Sequence, residues 1–379
     1  MIFKPTEEQL AIKQIAADYA HKFLAPGLRD RDFNDEFSRE LWEQLVKLDL
    51  TKICWPKEYG GLGMDVLTYI MAVEEISKVD DGMGVAFSVH CSLCTWPIYA
   101  YGSEVQKQKY LTDLVTGKKM GAFGLTEPNA GTDAASQEST AVKQGDKYIL
   151  NGKKIFITNA KEAETYVVFA MTDKSKGLKG ISAFIIEKDM PGFHFGKKED
   201  KMGIRTSLQH ELYFENVEVP EENLLGKEGE GFKIAMTTLD GGRIGIAAQA
   251  LGIAQAALDH SIKYSKERVQ FGKPIATQQI NAFKIADMAT QIEAARFLVY
   301  NAAATKDAHL NFSKEAAMAK LFASDTAMAV TTEAVQIHGG NGFCKDYPVE
   351  RLMRNAKITQ IYEGTNEVQK IVISGAVLR

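Results

Sequence analysis

The sequence predicts an α+β fold in which a β domain is set between two helical parts. Three observations carry that expectation. Apolar residues recur at helical spacing from residue 5 to about 118, short β-branched and aromatic runs follow from about 120 to 220, and long helical patterns return after Pro220. A run of strands between two runs of helices points away from an alternating βαβ chain.

The first part shows the helical spacing in EEQLAIKQIAADYAHKFL and ELWEQLVKLDL, with Gly/Pro breaks such as WPKEYGGLG. In the middle, GAFGLTE, KYILNGKKIFITN, TYVVFAMTD, GISAFIIEK and HELYFENVEVP read as strands. Asn151-Gly152 reads as a tight turn, because both residues tolerate positive φ. Beyond Pro220, the stretch from Arg243 to Tyr264 is rich in Ala, Ile and Leu with few charges, so deep burial is expected. Helical patterns follow at 277–307 and 314–337. The expected domains are 1–119, 120–225 and 226–379.

Composition excludes several classes. A chain of 379 residues, 45% hydrophobic and 25% charged, is ordinary globular material with more than one core. A net charge of −4 offers no basic footprint for nucleic acid. No uninterrupted apolar run of about 18 residues predicts a membrane span. The opening MIFKPTEEQLAIKQ has early acids and no apolar stretch of the secretory kind. Four cysteines in so long a chain fit a reducing compartment, so a cytoplasmic location is expected.

No GxGxxG follows a strand and opens a helix, and no GxxxxGK[ST] occurs, so nicotinamide-Rossmann and P-loop readings lack support. Cys91 and Cys94 form a CxxC beside His90, but a zinc or redox site needs a second ligand pair or a strand-to-helix setting. Plain buried cysteines are expected, and no metal site. The loop GLTEPNAGTD (124–133) either presents backbone N–H groups to a phosphate or flavin edge or is an ordinary loop. RVQFGKPI (268–275) sets a guanidinium near an aromatic, which suits a nucleotide diphosphate; its bland reading is a basic helix C-terminus. In YEGTNE (362–367), Glu363 precedes a glycine that admits close approach of a ligand, yet a lone glutamate is more often a surface residue than a base.

Taken together and in order, GLTEPNAGTD, KIFITNA, LDGGRIGIAAQALGIAQAALD, RVQFGKPI, EAVQIHGGNGF and IYEGTNEVQ resemble the acyl-CoA dehydrogenase family, in wording near the short-chain (butyryl-CoA) enzymes of anaerobic bacteria. The resemblance runs nearly end to end. It implies an N-terminal helical domain, a middle antiparallel β domain and a C-terminal four-helix bundle, with FAD as cofactor. Phe123, Leu125, Thr126, Gly131 and Thr132 match the flavin-lining loop. Phe156, Ile157 and Thr158 match the strand whose aromatic flanks the ring and whose threonine bonds near N5. Arg268, Phe271, Gln279, Gln336, Gly339 and Gly340 match residues reaching the FAD of a neighbouring subunit, and Thr365, Asn366 and Glu367 complete the cofactor site. The CoA portion would meet Thr132 and the turn Asp240, Gly241, Gly242, Arg243, with Tyr362 and Gly364 bordering the thioester. Such cross-subunit contacts imply a homotetramer, or at least a dimer.

The resemblance also implies a mechanism. Glu363 removes the α-proton of an acyl-CoA while a β-hydride passes to flavin N5; in the enoyl-CoA-reducing direction it acts as the acid. Two enolate donors, the glutamate's backbone N–H and a ribityl hydroxyl, would each supply about 3–4 kcal/mol. Relatives of the isovaleryl type carry the base immediately before the arginine of LDGGR, where this chain has Gly242. Gly84 stands where glutaryl-type relatives hold a distal carboxylate with arginine. Thr206-Ser207, LQH at 208–210, Asn341 and Asn355 depart from common family wording. Butyryl-CoA/crotonyl-CoA is the expected couple, with acrylyl- or aryl-acrylyl-CoA as the alternative. Electron-transferring flavoprotein is the expected electron partner, transiently or in an electron-bifurcating complex. An acyl-CoA oxidase and a non-catalytic flavin-binding scaffold are the readings from other classes.

Overall fold

The computed structural model describes residues 4–378; Met1 to Phe3, the start of the segment read for a leader, lie outside them. Helix α1 (Glu7–Tyr19) opens on a capping box in which Thr6 and Gln9 satisfy each other's backbone N–H. Helices α2 (Leu28–Asn34), α3 (Arg39–Lys47), α4 (Val66–Val79) and α5 (Asp81–Ser88) follow. Then α5 runs through a wider-turned π segment, Val89–Thr95, into α6 (Trp96–Tyr101), and the short α7 (Glu104–Gln106) and α8 (Thr112–Val115) close this part. Cys91 and Cys94 are buried free thiols in the π segment. His90 donates from Nε2 to Leu114 O (3.0 Å) and accepts the Gly121 N–H at Nδ1 (3.0 Å). Burial pushes its pKa down to about 4, so it is a neutral structural bridge.

The central sheet contains β1 (Gly121–Gly124), β2 (Thr140–Gln144), β3 (Lys147–Thr158), β4 (Thr165–Met171), β5 (Ile181–Glu187), β6 (Phe193–Lys198), β7 (Gln209–Pro220) and β8 (Leu224–Leu225). Their order is β6-β7-β3-β2-β4-β5-β8, with β1 beside β4. Pairing is antiparallel except where β1 and β2 meet β4 in parallel. Strand β4 shows why the pattern reads as it does. Val167, Phe169 and Met171 enter the core shared with the helices, while Tyr166, Val168 and Ala170 enter a second core on the other face.

Asn151-Gly152 is not a hairpin turn. It lies inside β3, where Gly152 takes φ 146° and the register with β7 slips between Leu150 and Gly152. Asn151 bonds Asn216 across that bulge. The β2–β3 hairpin instead turns at Gly145-Asp146, since Gln144 pairs with Lys147.

The C-terminal part is a helical bundle of α9 (Gly231–Glu267), α10 (Gln279–Asp307), α11 (Ser313–His338), α12 (Val349–Thr359) and α13 (Asn366–Val377). The stretch expected to be buried forms the middle of α9, where residues 241–254 are all buried. After α9 a small hairpin, β9 (Val269–Gln270) with β10 (Lys273–Pro274), turns on Phe271-Gly272, both at positive φ. One side chain joins all three parts of the chain. Asn355 of α12 donates to the Asp81 carboxylate at 2.8 and 2.9 Å and accepts the Ile204 N–H at 2.7 Å. Among the described residues, no helix is long and apolar enough to cross a membrane.

Candidate active site

The turn between α12 and α13 is short and strained. Glu363 has φ 52° and Gly364 φ 91°, so a glutamate occupies the left-handed region that costs an ordinary residue about 1–2 kcal/mol. Surrounding bonds hold it there. The Gly364 carbonyl accepts from Gln369 Nε2 (2.7 Å) and Lys320 Nζ (2.9 Å), and Asn366 N–H donates to Gln360 O (3.0 Å). Nine non-glycine described residues have positive φ, and three of them are Phe156, Phe271 and Glu363. Strain of this kind collects at functional sites, which singles out the same residues as the sequence did.

The carboxylate of Glu363 points at α9. A Cβ on Gly242 would lie 2.0 Å from Glu363 Oε2 and 2.7 Å from Leu93 Cδ2, so only glycine leaves space for it. A side chain grown from position 242 would enter the space that Glu363 now fills. Oε2 is sealed from solvent and makes no hydrogen bond among the described residues. Burial pushes Glu363 up to about 8, against the opposing charges of Arg243 and Lys320. Arg243 is itself buried; it donates to Asp240, which also accepts from Ser313, and its Nε is unpartnered.

Three α9 residues on one face, 242, 245 and 249, form the wall beyond the carboxylate. At Gly245 a Cβ would fall 2.2 Å from Ser88 Oγ, so α9 and the end of α5 are in direct contact there. At Gln249, the Oε1 accepts from Tyr362 while Nε2 donates to Asp81 O (2.9 Å). Position 245, about 4.5 Å along the helix from Gly242, therefore has no room for a side chain.

A second cluster forms where β1 and β3 meet. Phe123 and Leu125 are buried behind the loop, and Ile155 N–H donates to Thr126 O (2.9 Å). Lys154, wholly buried, donates to Leu125 O (3.2 Å), Glu127 Oε1 (2.6 Å) and Gln137 Oε1 (3.1 Å), pinning the base of the loop. On β3, Ile157 is buried but Phe156 is 60% exposed. Next to them, Gln209 Nε2 donates to Thr158 Oγ1 (3.1 Å) and Ser207 Oγ (3.0 Å). Asn159 ties the strand's end to α5 through Ala86 O (2.9 Å).

The remaining candidates sit elsewhere. Phe271 is 96% exposed, and nothing lies within 4 Å of a Cβ built on Gly131, Gly339 or Gly340. The stacked rings of Tyr264 and His338, 4.2 Å apart, bring the Arg268 hairpin and the Gly339-Gly340 turn together. Among the described residues, no hydrogen bond or ion pair joins Arg268, Phe271, Gln279, Gln336, Gly339 or Gly340 to the Glu363 pocket. Thr365 caps α13 (3.4 Å to Val368 N–H), Asn366 is buried against α11, and Glu367 is exposed. Sequence reading gave no role to Lys320, Gln209, Gln249 or the Lys154–Glu127 pair, although Glu127, Lys154 and Gln249 lie inside the quoted motifs. Two left a signal: Lys320 stands among alanines on the inner face of a helix, and Gln209 belongs to the unusual LQH.

Three family models match the chain: "Acyl-CoA dehydrogenase, N-terminal domain" over residues 6–118, "middle domain" over 122–217 and "C-terminal domain" over 229–378. The chain belongs to the acyl-CoA dehydrogenase family. It is 57% identical to the short-chain specific acyl-CoA dehydrogenase of Megasphaera elsdenii over 100% of both chains. The structure of butyryl-CoA dehydrogenase from that organism superposes with a TM-score of 0.99 over the full length of both. A chain from the structure described as "Electron transferring flavoprotein of Acidaminococcus fermentans: Towards a mechanism of flavin-based electron bifurcation" is 64% identical, with TM-score 0.99 and full coverage of both. The acryloyl-CoA reductase (NADH) of Anaerotignum propionicum is 49% identical over 100% of this chain and 96% of its own.

As a member of the acyl-CoA dehydrogenase family, the protein is an FAD-dependent oxidoreductase acting on CH–CH bonds. The residues present fit that cofactor. A large aromatic left 60% exposed on a sheet, beside a hydroxyl and a glycine loop open to its surroundings, suits a flat ring system with polar edges.

Proposed function

We propose that this acyl-CoA dehydrogenase interconverts a short-chain acyl-CoA and its 2-enoyl-CoA, butyryl-CoA and crotonyl-CoA foremost, with Glu363 as base in one direction and acid in the other. The observation that carries the reading is the sealed, unpartnered Glu363 Oε2 above Gly242. A half-buried carboxylate with one oxygen sealed and unpartnered, and with its pKa raised to about 8, is poised to exchange a proton near neutral pH. The 57% identity to the short-chain specific enzyme of Megasphaera elsdenii supports a chain of only a few carbons.

FAD, when bound, supplies the hydride acceptor. Phe156 would flank its ring system and Thr158 would hydrogen-bond to it, with Phe123, Leu125, Thr126, Gly131, Thr132 and Thr365 to Glu367 completing the site. The Glu363 backbone N–H, which has no partner among the described residues, donates to the thioester oxygen as negative charge gathers there. Asp240 and Arg243 orient the CoA arm. Arg268, Phe271, Gln279, Gln336, Gly339 and Gly340 serve the cofactor of a second copy, in a homotetramer. Domain limits near 119/120 and 225/226 accompany this reading.

Electrons pass to or from an electron-transferring flavoprotein, a partner supported by the Acidaminococcus fermentans description. The name of the Anaerotignum propionicum relative favours a second reading, reduction of an enoyl-CoA at the expense of NADH through such a partner.

The test is anaerobic titration of the holoenzyme with acyl- and enoyl-CoAs, following flavin bleaching and reoxidation. Butyryl-CoA that leaves the flavin oxidised would overturn the substrate assignment. Glu363→Gln is expected to retain FAD absorbance yet lose about 10²–10⁴-fold in α-proton exchange. Full exchange in that variant would remove Glu363 from the mechanism.

A further inference from the structure

Lys320 is wholly buried on α11, and no step proposed above uses it. Its ammonium donates to Gly364 O at 2.9 Å and to Asn366 Oδ1 at 3.0 Å, on the turn that carries the base. One helical turn along α11, Ser324 Oγ donates to Asn366 Oδ1 (3.1 Å). Asp325 accepts from Asn366 Nδ2 (2.8 Å) and Gln360 Nε2 (2.6 Å). Three residues of one helix thus grip both ends of the strained segment 360–366.

Hydrogen bonding alone does not explain a lysine there, because burying an ammonium is costly and a neutral amide could hold the same carbonyl. The group that gains from a cation is Glu363. Two cations act on its carboxylate, Arg243 from α9 and Lys320 from α11. Lys320 is in turn faced by Glu363, Arg243, Asp325 of its own helix and Glu367 of α13, and Arg243 is engaged by Asp240. The tyrosines Tyr362 and Tyr69 also feel the Glu363 charge.

We propose that Lys320 is a positioning residue for the base: it fastens the Gly364 carbonyl and Asn366 on the turn that carries Glu363, and its charge, brought beside that turn, favours the carboxylate form in a site dried by substrate. The inference rests on Glu363 being the base. Burial lowers the Lys320 pKa while the Glu363 charge opposes that, and the Lys320 charge in turn opposes the rise of Glu363, so each charge stabilises the other and the two groups titrate as a coupled pair. Removing the cation must raise the pH at which Glu363 ionises.

The decisive experiment measures α-proton exchange of the holoenzyme with substrate across pH, in wild type, Lys320→Met, Lys320→Gln, Lys320→Arg and Ser324→Ala. Both neutral variants are expected to move the rising limb at least one pH unit upward, about a tenfold loss of carboxylate below the midpoint. Lys320→Arg restores the midpoint towards wild type. Ser324→Ala loosens the grip with the charge intact, so it lowers the rate without moving the midpoint. The glutamine variant can still donate to Gly364 O and carries the test if the methionine variant does not fold. Slower exchange with an unmoved midpoint in the neutral variants would make Lys320 merely structural and overturn the inference. Glu363→Gln separates the two failures. If it retains exchange, the base assignment falls; if it is dead while the Lys320 variants keep the wild-type midpoint, only the present inference falls.

Discussion

At the scale of single residues, the site depends on a pair separated by 121 positions, one carboxylate and one missing side chain. Gly242→Ala is informative because its effects on stability and on activity differ in size. Alanine in a helix interior is favoured over glycine by up to about 1 kcal/mol, which offsets part of the cost of crowding Leu93, so the thermal midpoint should fall only modestly. Its Cβ would nevertheless meet Glu363 Oε2 at 2.0 Å, and the carboxylate must move. A displacement of about 1 Å at a reacting group costs on the order of 10²-fold in rate, which stopped-flow flavin reduction reads directly. An active Gly242→Ala enzyme would mean that the carboxylate does not work from this position. The pH dependence follows from the same residue. Because Glu363 ionises at about 8, flavin reduction by acyl-CoA should rise with pH through that value and enoyl-CoA reduction should decline through it. Its folded-state pKa lies above the ordinary 4.5, so the folded chain holds a proton that the unfolded chain has released. Stability from this group is therefore lost as pH rises from about 4.5 to 8. Glu363→Gln should accordingly have the higher thermal midpoint above pH 8.

At the scale of elements, β3 carries the exposed Phe156 and, two residues before it, Lys154 of a buried ion pair with Glu127. Burial alone would raise the Glu127 pKa, but the charge of Lys154 and the N–H groups of Glu138 and Ser139 bring it below its ordinary value. Lys154→Met would strand that carboxylate and is expected to cost about 3–5 kcal/mol in denaturant unfolding. The double variant with Glu127→Gln should regain much of the loss; equal destabilisation of both variants would show that packing, not charge, matters here. The same strand marks a limit of sequence reading. Its alternation was legible, and so were β1, β4, β5 and β7. Asn151-Gly152 satisfies the local chemistry of a turn, yet the partner strand β7 absorbs it as a bulge. Strands β2 and β6 escaped because TAVKQ and FHFGKK carry polar or charged residues and are half-exposed. The buried stretch of α9 needed no such help, since Ala, Ile and Leu on every side leave a helix nowhere but the interior.

At the scale of the whole molecule, large apolar side chains remain uncovered: Phe271, Phe343, Ile280 and Phe283 are 96, 86, 64 and 56% exposed. Phe271, Ile280 and Phe283 fall within thirteen positions, an apolar concentration that monomers seldom leave exposed, and the proposed homotetramer would cover them. Phe271→Asp with Phe283→Asp should lower the mass seen in analytical ultracentrifugation and weaken FAD retention together. A wild-type monomer that binds FAD tightly would refute the shared site. Within the chain, Asn355 holds the helical, β and bundle parts together through Asp81 and Ile204. The sequence marked Asn355 only as a departure in wording. Its role is invisible until residues 81, 204 and 355 converge.

The sequence alone determined the order of helical and strand regions, the buried α9 segment and the family, because periodicity, turn residues and six motifs in register are local or ordered along the chain. It also singled out Glu363, though only in the company of those motifs. The tertiary structure decided what Glu363 is like: sealed above Gly242, faced by Arg243 and Lys320, and raised to about 8. Burial and charge at one atom are set by neighbours 43 and 120 residues away in sequence, and no local pattern encodes them.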